Sequence, residues 1–376
     1  MFNLFQHMKY YLIAGERSGD LHGANLINQL KELDPDANFR AWGGDRMEEA
    51  GAEIVVHYTT MAIMGLGELF GSIFKFLRLL RKCRRDIELF QPDVVILIDF
   101  AGFNLRMARF ASKKGIKVFY YISPKIWAWW QKRAYKVRDY VDKMFVILPF
   151  EKEFYKKFGV EADYVGNPVQ DAIRAFEPLP DFFEKNGLDP ERELMALLPG
   201  SRKQEVALVL PQMVALANAH PEWQFGLSVI NNLPNTLYET ARSTSNITLI
   251  PEDNYNLLNN AHTAVVTSGT ATLETALFNV PQVVVYKTSP FNYHTGMLFV
   301  KVEYISLVNL IGGKEVVREL VQKGFREDTL LAAFNEIAVE SPARQEVLEG
   351  YKKVRDILNN ENASRNAAKL MWGYLN

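Results

Sequence analysis

The chain predicts an α/β protein built of two doubly wound, Rossmann-like domains facing a cleft, and three observations carry that expectation. Short apolar runs alternate with helical patterns along nearly the whole length, as in a parallel sheet covered on both faces. At 376 residues the chain exceeds what one ordinary core organises, so about two domains are expected. Small-residue turns also recur where a buried strand gives way to a helix, the place where such sheets bind ligands.

Taken in order, Lys9–Ala14 reads as the opening strand and Leu21–Leu33 as the first helix. Strands follow at Phe39–Trp42, Val94–Asp99, Lys117–Ile122, Lys143–Ile147 and Asp163–Val165. Gly166-Asn167-Pro168 has the composition of an interdomain bend, which places the domains at 1–167 and 168–341. In the second, strands fall at Leu194–Leu198, Gln224–Val229, Ile247–Ile250, Ala264–Thr267 and Val283–Tyr286, after a polar Pro/Gly stretch at 181–192. Pro342 opens a helical C-terminal portion, 342–376, expected to pack back across the domains or onto a partner subunit.

Composition excludes several classes. With 48% hydrophobic and 23% charged residues the chain is ordinarily globular. A net charge of −1 gives no reason to expect nucleic-acid binding. The lone Cys83 excludes an intrachain disulfide and a cysteine-rich zinc site. The six histidines are scattered without ligand spacing, so neither a metal nor a cofactor is expected. The opening MFNLFQHMKYYLIAGE lacks the apolar core and cleavage site of a signal peptide, and no window holds about 18 uncharged apolar residues. A cytoplasmic protein is expected.

The most informative stretch is Leu197-Leu198-Pro199-Gly200-Ser201-Arg202-Lys203-Gln204-Glu205, followed by Val265-Val266-Thr267-Ser268-Gly269-Thr270-Ala271-Thr272-Leu273-Glu274. Each is a buried strand running through a small-residue turn into a helix, whose free N–H groups and dipole favour an anion. Arg202 adds a forked donor for a diphosphate, and Glu274 a carboxylate for a pair of ribose hydroxyls. Gly200, Ser201, Ser268, Gly269 and Thr270 line the turns. Single turns of this kind are usually structural, whereas two with suitable polar partners describe a nucleotide-diphosphate site. The absence of GxxxxGKS argues against a P-loop ATPase.

Gly15-Glu16-Arg17-Ser18-Gly19-Asp20 follows the first strand, where Gly15, Glu16, Ser18, Gly19 and Asp20 form a candidate acceptor or phosphate site. A helix cap by Ser18 or Asp20 is the alternative. Asp99 ends the apolar strand Val94–Ile98; a carboxylate there is costly unless it caps a helix or does chemistry. As a general base it would serve an acceptor hydroxyl, while Asn104 offers a cap instead. In Pro124-Lys125-Ile126-Trp127-Ala128-Trp129-Trp130 the tryptophans suit a sugar ring, an acyl groove or simple packing. The basic run Lys132, Arg133, Lys136 and Arg138 reads as a solvated helix face.

Segment 61–85, MAIMGLGELFGSIFKFLRLLRKCRR, places Leu69, Ile73, Phe76, Leu77 and Leu80 on one helical side, with Lys75, Arg78, Lys82 and Arg85 on another. Arg81 and Arg84 lie nearer the apolar arc. Such a helix suits an anionic bilayer surface, where each basic side chain contributes about 1 kcal/mol. A core-facing helix with a basic outer face is the alternative. The density of Phe, Met and Leu beside Gly65, Gly67 and Gly71 favours partial exposure. The expected contacts are Met64, Leu66, Leu69, Phe70, Ile73, Phe76, Leu77 and Leu80, with Arg78, Arg81 and Lys82.

Together these motifs resemble the lipid-A-disaccharide synthase family, inverting enzymes of the two-domain B-type glycosyltransferase fold. The resemblance covers nearly the whole chain: AGERSGDLHGA at 14–24, MAIMG at 61–65, QPDVVILIDFAGFN at 91–104, SPKIWAW at 123–129, LPFE at 148–151, VGNP at 165–168, LLPGSRKQE at 197–205, TSGTATLE at 267–274, PQVVVYK at 281–287 and YISLVNLI at 304–311. It implies transfer of a sugar from UDP-2,3-diacylglucosamine to 2,3-diacylglucosamine 1-phosphate (lipid X), giving a β-1,6-linked disaccharide 1-phosphate and UDP. The C-terminal domain would hold UDP, with Arg202 on the diphosphate, Glu274 on the ribose, Ser268, Gly269 and Thr270 in the turn and Asn309 helping with phosphate. Asp99, matching the family's catalytic aspartate, would deprotonate the acceptor's 6-hydroxyl for one in-line displacement. Arg202 and helix N-termini, rather than a metal, would stabilise the leaving group. The resemblance also implies peripheral contact of segment 61–85 with the inner face of the inner membrane, and makes a homodimer plausible.

The chain departs from the family in two places. The family often reads IDAPDFN where this chain has Ile98-Asp99-Phe100-Ala101-Gly102-Phe103-Asn104, so a role for the second acid does not carry over to Gly102. His22 stands where an aliphatic residue is commoner. The alternatives are a UDP-N-acetylglucosamine 2-epimerase-like enzyme, which has no use for an exposed Phe/Leu/Arg helix, and a nucleotide-sugar-binding module without turnover.

Overall fold

The computed structural model describes residues 7–62, 69–128, 130–289, 303–359 and 362–376, without the side chains of 62–73. It divides into two compact units, 1–168 with 360–376 and 169–359.

The first unit holds seven parallel strands: β1 (Lys9–Ala14), β2 (Asn38–Gly43), β3 (Glu53–His57), β4 (Val94–Ile98), β5 (Lys117–Tyr121), β6 (Lys143–Val146) and β7 (Ala162–Tyr164), ordered β3-β2-β1-β4-β5-β6-β7. Central β4 is buried at every position, as expected of a parallel strand covered on both faces. The Arg17–Leu33 helix lays Ala24, Leu26, Ile27 and Leu30 on this sheet. It begins before Leu21 because the Glu16–Asp20 turn is itself helical, with the Asp20 N–H donating to the Glu16 carbonyl at 3.0 Å.

The two C-terminal helices belong to different units. Pro342–Leu358 starts at a Ser341 cap, whose hydroxyl accepts from the Arg344 N–H at 3.0 Å, with Pro342 where its missing N–H costs nothing. It counts with the second unit. Ala363–Leu375 completes the core of the first: Ala367, Ala368 and Met371 are fully buried there. Asn366 donates to the Val165 carbonyl at 3.0 Å. A buried Met371→Ala cavity would cost about 2–5 kcal/mol.

The second unit repeats the plan with six parallel strands: β8 (Leu194–Leu198), β9 (Gln224–Val229), β10 (Ile247–Pro251), β11 (Thr263–Thr267), β12 (Gln282–Tyr286) and β13 (Glu319–Val321), ordered β10-β9-β8-β11-β12-β13. Two strands, β3 and β13, have no counterpart in the sequence expectation. Both are sheet edges, and their short runs EIVVH and ELV carry charge at the ends, too little alternation to read. In each sheet the strand order reverses once, between β1 and β4 and between β8 and β11. Such reversals open the crevice that binds ligands in doubly wound sheets.

Candidate functional site

At the first reversal β1 and β4 run in register from Tyr10↔Val94 to Ala14↔Ile98, so the Gly15–Asp20 turn and Asp99 emerge as neighbours. Gly15 is required by close approach, since a Cβ there would stand 2.4 Å from the Phe100 ring. Asp99 and Phe100 both occupy the left-handed region, at φ 45° and 49°, which is uncommon outside glycine and persists only where the surroundings enforce it. The enforcement is visible. Asn104 donates to the carbonyls of Ile13 (3.3 Å), Ile98 (3.1 Å) and Asp99 (2.8 Å). The buried Tyr120 hydroxyl also donates to the Asp99 carbonyl, and the Asp99 N–H donates to the Ile122 carbonyl at 3.2 Å. Asn104 therefore ties strand ends together and does not cap its helix, which runs from Ala101 to Lys113.

The Asp99 backbone is thus fixed while its carboxylate, among the described residues, meets only the Phe100 N–H. Burial pushes this carboxyl up to about 6, nearby Glu16 adds to the rise, and Lys125 and the Phe100 N–H oppose it. A carboxyl poised near neutrality suits a general base. Glu16 and Ser18 are exposed and Gly19 is buried against Ala14. Asp20 corrects the expectation of an acceptor- or phosphate-binding role. Its carboxylate accepts from the N–H groups of Gly44 (2.7 Å), Arg46 (3.2 Å) and Met47 (3.2 Å), capping the Asp45–Glu49 helix. His22 is held neutral, its pKa lowered to about 4 by burial.

The 123–128 loop leaves β5 beside Asp99. Trp127 is packed, as the plainer reading had it, with its ring edge-on to Phe150 at 5.0 Å. Its Nε1 donates to Glu151 at 3.0 Å, and Glu151 also accepts from the Leu148 N–H at 3.0 Å. Burial pushes Glu151 up to about 7. Only the LPFE motif hinted at this buried acid, which fastens the loop that carries Lys125 toward Asp99. Trp129 lies outside the described residues. Trp130 is 52% exposed, with the Arg133 guanidinium 4.2 Å over its ring.

At the second reversal β8 and β11 pair from Met195↔Thr263 to Leu198↔Val266, so two motifs far apart in sequence deliver their turns side by side. Gly200 has φ 100°, and a Cβ there would meet Glu205 at 2.8 Å, which requires glycine. The helices Lys203–Ala219 and Thr270–Leu277 start at Arg202 and Gly269 without a side-chain cap. Both therefore present open N–H groups and positive dipole ends. Arg202 keeps 79% of its side chain exposed and contacts Glu205 at 2.8 Å. Ser201 and Thr270 are exposed. Ser268 donates its hydroxyl to the Ile305 carbonyl at 2.8 Å. Glu274 is half-buried; burial raises its pKa, and a hydrogen bond from Tyr255 opposes the rise.

Asn309 does not join this group. It is fully buried, donates to the Val317 carbonyl (2.9 Å) and Glu319 (2.8 Å), and accepts from the N–H groups of Val316 (2.8 Å) and Val317 (2.9 Å). Its amide is saturated and braces the 306–319 segment. A polar residue in an apolar helix looks the same in sequence whether it serves the backbone or a ligand.

The basic helix spans Leu69–Phe90. Met64 and Leu66, and the side chains of Leu69, Phe70 and Ile73, lie outside the described residues. Leu80 was expected at a membrane, but it is 4% exposed and belongs, with Leu79, Cys83 and Ile87, to the buried face. Phe76 is half-buried, its ring edge-on to Phe103 at 6.0 Å. Of the described side chains on the expected membrane side, Leu80 is buried, Phe76 half-buried and Leu77 exposed. The outer face carries Phe74 (74% exposed) and Leu77 (40%) among the exposed Arg78, Arg81 and Lys82. Periodicity identified two faces, and the burial of Leu80 and Cys83 shows which one meets the sheet.

Known proteins resemble the chain along nearly all of it. The family model described as lipid-A-disaccharide synthetase matches residues 10–371. A lipid-A-disaccharide synthase from Syntrophus aciditrophicus is 37% identical over 364 residues, covering 95% of each chain. One from Coxiella burnetii is 36% identical over 364 residues, covering 96% of each. Among solved structures, UDP-GlcNAc 2-epimerase from Neisseria meningitidis bound to UDP-GlcNAc superposes with a TM-score of 0.65 at 14% identity, over 98% of this chain and 99% of that one. The kitacinnamycin glycotransferase gives 0.66 at 16% identity, over 99% and 100%. At such identities the two structures show a shared fold alone.

Proposed function

The chain belongs to the lipid-A-disaccharide synthase family of glycosyltransferases, and from that premise we propose that it transfers 2,3-diacylglucosamine from UDP-2,3-diacylglucosamine to 2,3-diacylglucosamine 1-phosphate. Asp99 carries the reading: a carboxylate on an enforced backbone, raised to about 6 by burial and, among the described residues, without a side-chain donor. It takes the proton of the acceptor's 6-hydroxyl. That oxygen attacks the donor's anomeric carbon from the face opposite UDP, the bond to the diphosphate breaks, and UDP leaves with the electron pair. One displacement inverts the anomeric centre and gives a β-1,6 linkage. The diphosphate charge falls on Arg202 and on the helix N-termini behind Gly200 and Gly269. Glu274 accepts from the ribose. The exposed Glu16, Ser18 and the Gly15–Gly19 turn border the acceptor.

No described helix is long and apolar enough to cross a membrane. We propose that the chain reaches its acylated substrates by laying Phe74 and Leu77, with Arg78 and Arg81, on an anionic bilayer surface. Phe74→Ser with Leu77→Ser should release the protein from anionic vesicles without lowering its melting temperature. Leu80→Ser should destabilise the fold by about 2–5 kcal/mol in a thermal melt.

Acceptor-dependent UDP release from purified protein in detergent and EDTA tests the reaction. A disaccharide product is expected. Release without acceptor marks a hydrolase, and UDP binding without release marks a binding module; either contradicts the proposal.

A further inference from the structure

Adjacent strand ends of the first unit hold three residues in the left-handed region: Asp99 and Phe100 after β4, at φ 45° and 49°, and Ile122 after β5, at φ 65°. Ile122 is the strained one. Among the described residues it is the only β-branched side chain at positive φ, a conformation such residues rarely adopt and keep only where the surroundings fix it. Its N–H donates to the Phe145 carbonyl of β6 at 3.0 Å, and its carbonyl accepts the Asp99 N–H at 3.2 Å. The strained residue therefore joins the candidate base to the neighbouring strand.

The residue that follows it is pinned by a helix. Ser123 is buried, and its hydroxyl lies 2.8 Å from that of Tyr155. Tyr155, on the Phe150–Lys156 helix, is fully buried, with its ring edge-on to Phe154 at 5.1 Å. Ser123 has one proton, and its other partners, the Pro124 carbonyl at 3.1 Å and the Glu151 carboxylate, both accept. Tyr155 is therefore the donor. A buried tyrosine hydroxyl ordinarily finds some partner, as Tyr11 does at Asp86 and Tyr351 at the Val280 carbonyl. The partner of Tyr155 is distinguished by lying one residue from the strained Ile122. With Tyr120 on the Asp99 carbonyl, two tyrosines hold Asp99 from both of its peptide groups, one directly and one through Ser123 and Ile122.

We propose that Tyr155 is a positioning residue for Asp99: its hydroxyl fixes Ser123, which holds Ile122 left-handed, and the Ile122 carbonyl orients the Asp99 N–H. The inference rests on the proposed reading of Asp99 as the base. A base must stand within hydrogen-bond reach of the proton it takes, and a misplacement of about 1 Å costs about a hundredfold in rate. Loosening the path also lets water reach the carboxyl, which returns a buried acid toward its ordinary value. The charged groups acting on Asp99 are Glu16, which raises it, and Lys125, on the same loop as Ser123, which lowers it. Burial is the largest cause of the rise, so its relief outweighs any retreat of Lys125 and the net movement is downward.

The test compares wild type with Tyr155→Phe and Ser123→Ala, each removing one side of the bond between them, and with the double variant. In transfer assays in detergent, kcat should fall about ten- to a hundredfold in each single variant. The KM for the UDP-sugar and the affinity for UDP should hold, since the proposed UDP clamp belongs to the second unit. The double variant should lose no more than Ser123→Ala alone, because both changes break the same bond. The acid limb of kcat should move to lower pH in all three. An unchanged kcat or an unmoved acid limb, even with a lowered melting temperature, would mark Tyr155 as structural and overturn the proposal. Losses that multiply in the double variant would overturn it too. Should Tyr155→Phe not fold, Ser123→Ala, which deletes a single oxygen, decides by the same kcat and acid limb. If wild type transfers to no acylated sugar, the reaction reading fails, and carbon NMR of the Asp99 carboxyl, assigned against Asp99→Asn, decides the positioning separately. A titration midpoint lowered in Tyr155→Phe and Ser123→Ala supports it; an unmoved midpoint overturns it.

Discussion

The two reversal points use one architecture for opposite electrostatics. Between β1 and β4 the turns bring acids together, with Glu16 facing Asp99 and raising its pKa. Between β8 and β11 they bring bare helix N-termini and the exposed Arg202. Asp99 sits on a backbone enforced by Asn104 and Tyr120; Arg202 extends into solvent and, among the described residues, is held by Glu205. A proton acceptor needs a fixed position and a tuned pKa. A diphosphate clamp needs positive charge and reach. The strand reversal supplies the crevice, and the residues at its rim decide which task it performs.

The largest effect that sharpens this contrast is Asp99→Asn, which keeps the shape and removes the proposed base. Transfer should fall by about 10²–10⁴-fold in a UDP-release assay. Next comes Arg202→Ala, expected to weaken UDP binding by about ten- to a hundredfold in calorimetry. Because the side chain is exposed, the melting temperature should hold.

The smallest effect lies in pH. Asp99 must be ionised to act, so the rate should fall as pH drops through about 6. Glu16→Gln removes a charge that raises Asp99, so the acid limb should move to lower pH; Lys125→Ala should move it up. Stability runs the other way. A carboxyl raised from 3.8 to about 6 binds its proton more tightly in the fold, so its contribution is present below 3.8 and is lost as pH rises through 6. Denaturant titrations between those limits should show a shallower slope in Asp99→Asn than in wild type, the remainder coming from other buried carboxyls such as Glu151.

The fold was legible because buried parallel strands such as Val94–Ile98 are continuous apolar runs and their turns are rich in small residues. The edges were not: three residues at 319–321 carry no period. Within the candidate site, the placement of Gly200, Arg202 and Gly269 in strand-to-helix turns was legible from strand-turn-helix chemistry, and that of Asp99 from a charge ending an apolar strand; their roles are the proposal. Asp20, Asn309 and Leu80 misled for one reason. Sequence shows that a group is polar or apolar, but not its partners: Gly44 and Met47 for Asp20, Val316 and Val317 for Asn309, the buried face of its helix for Leu80. The Trp127–Glu151 pair stayed hidden for the same reason.

The division of labour is tested most directly by measuring UDP affinity and transfer rate together in wild type, Asp99→Asn and Arg202→Ala. The expected result is crossed: Asp99→Asn binds UDP as wild type does and transfers almost nothing, whereas Arg202→Ala loses UDP affinity. Weakened UDP binding in Asp99→Asn, or full transfer by it, would contradict the account.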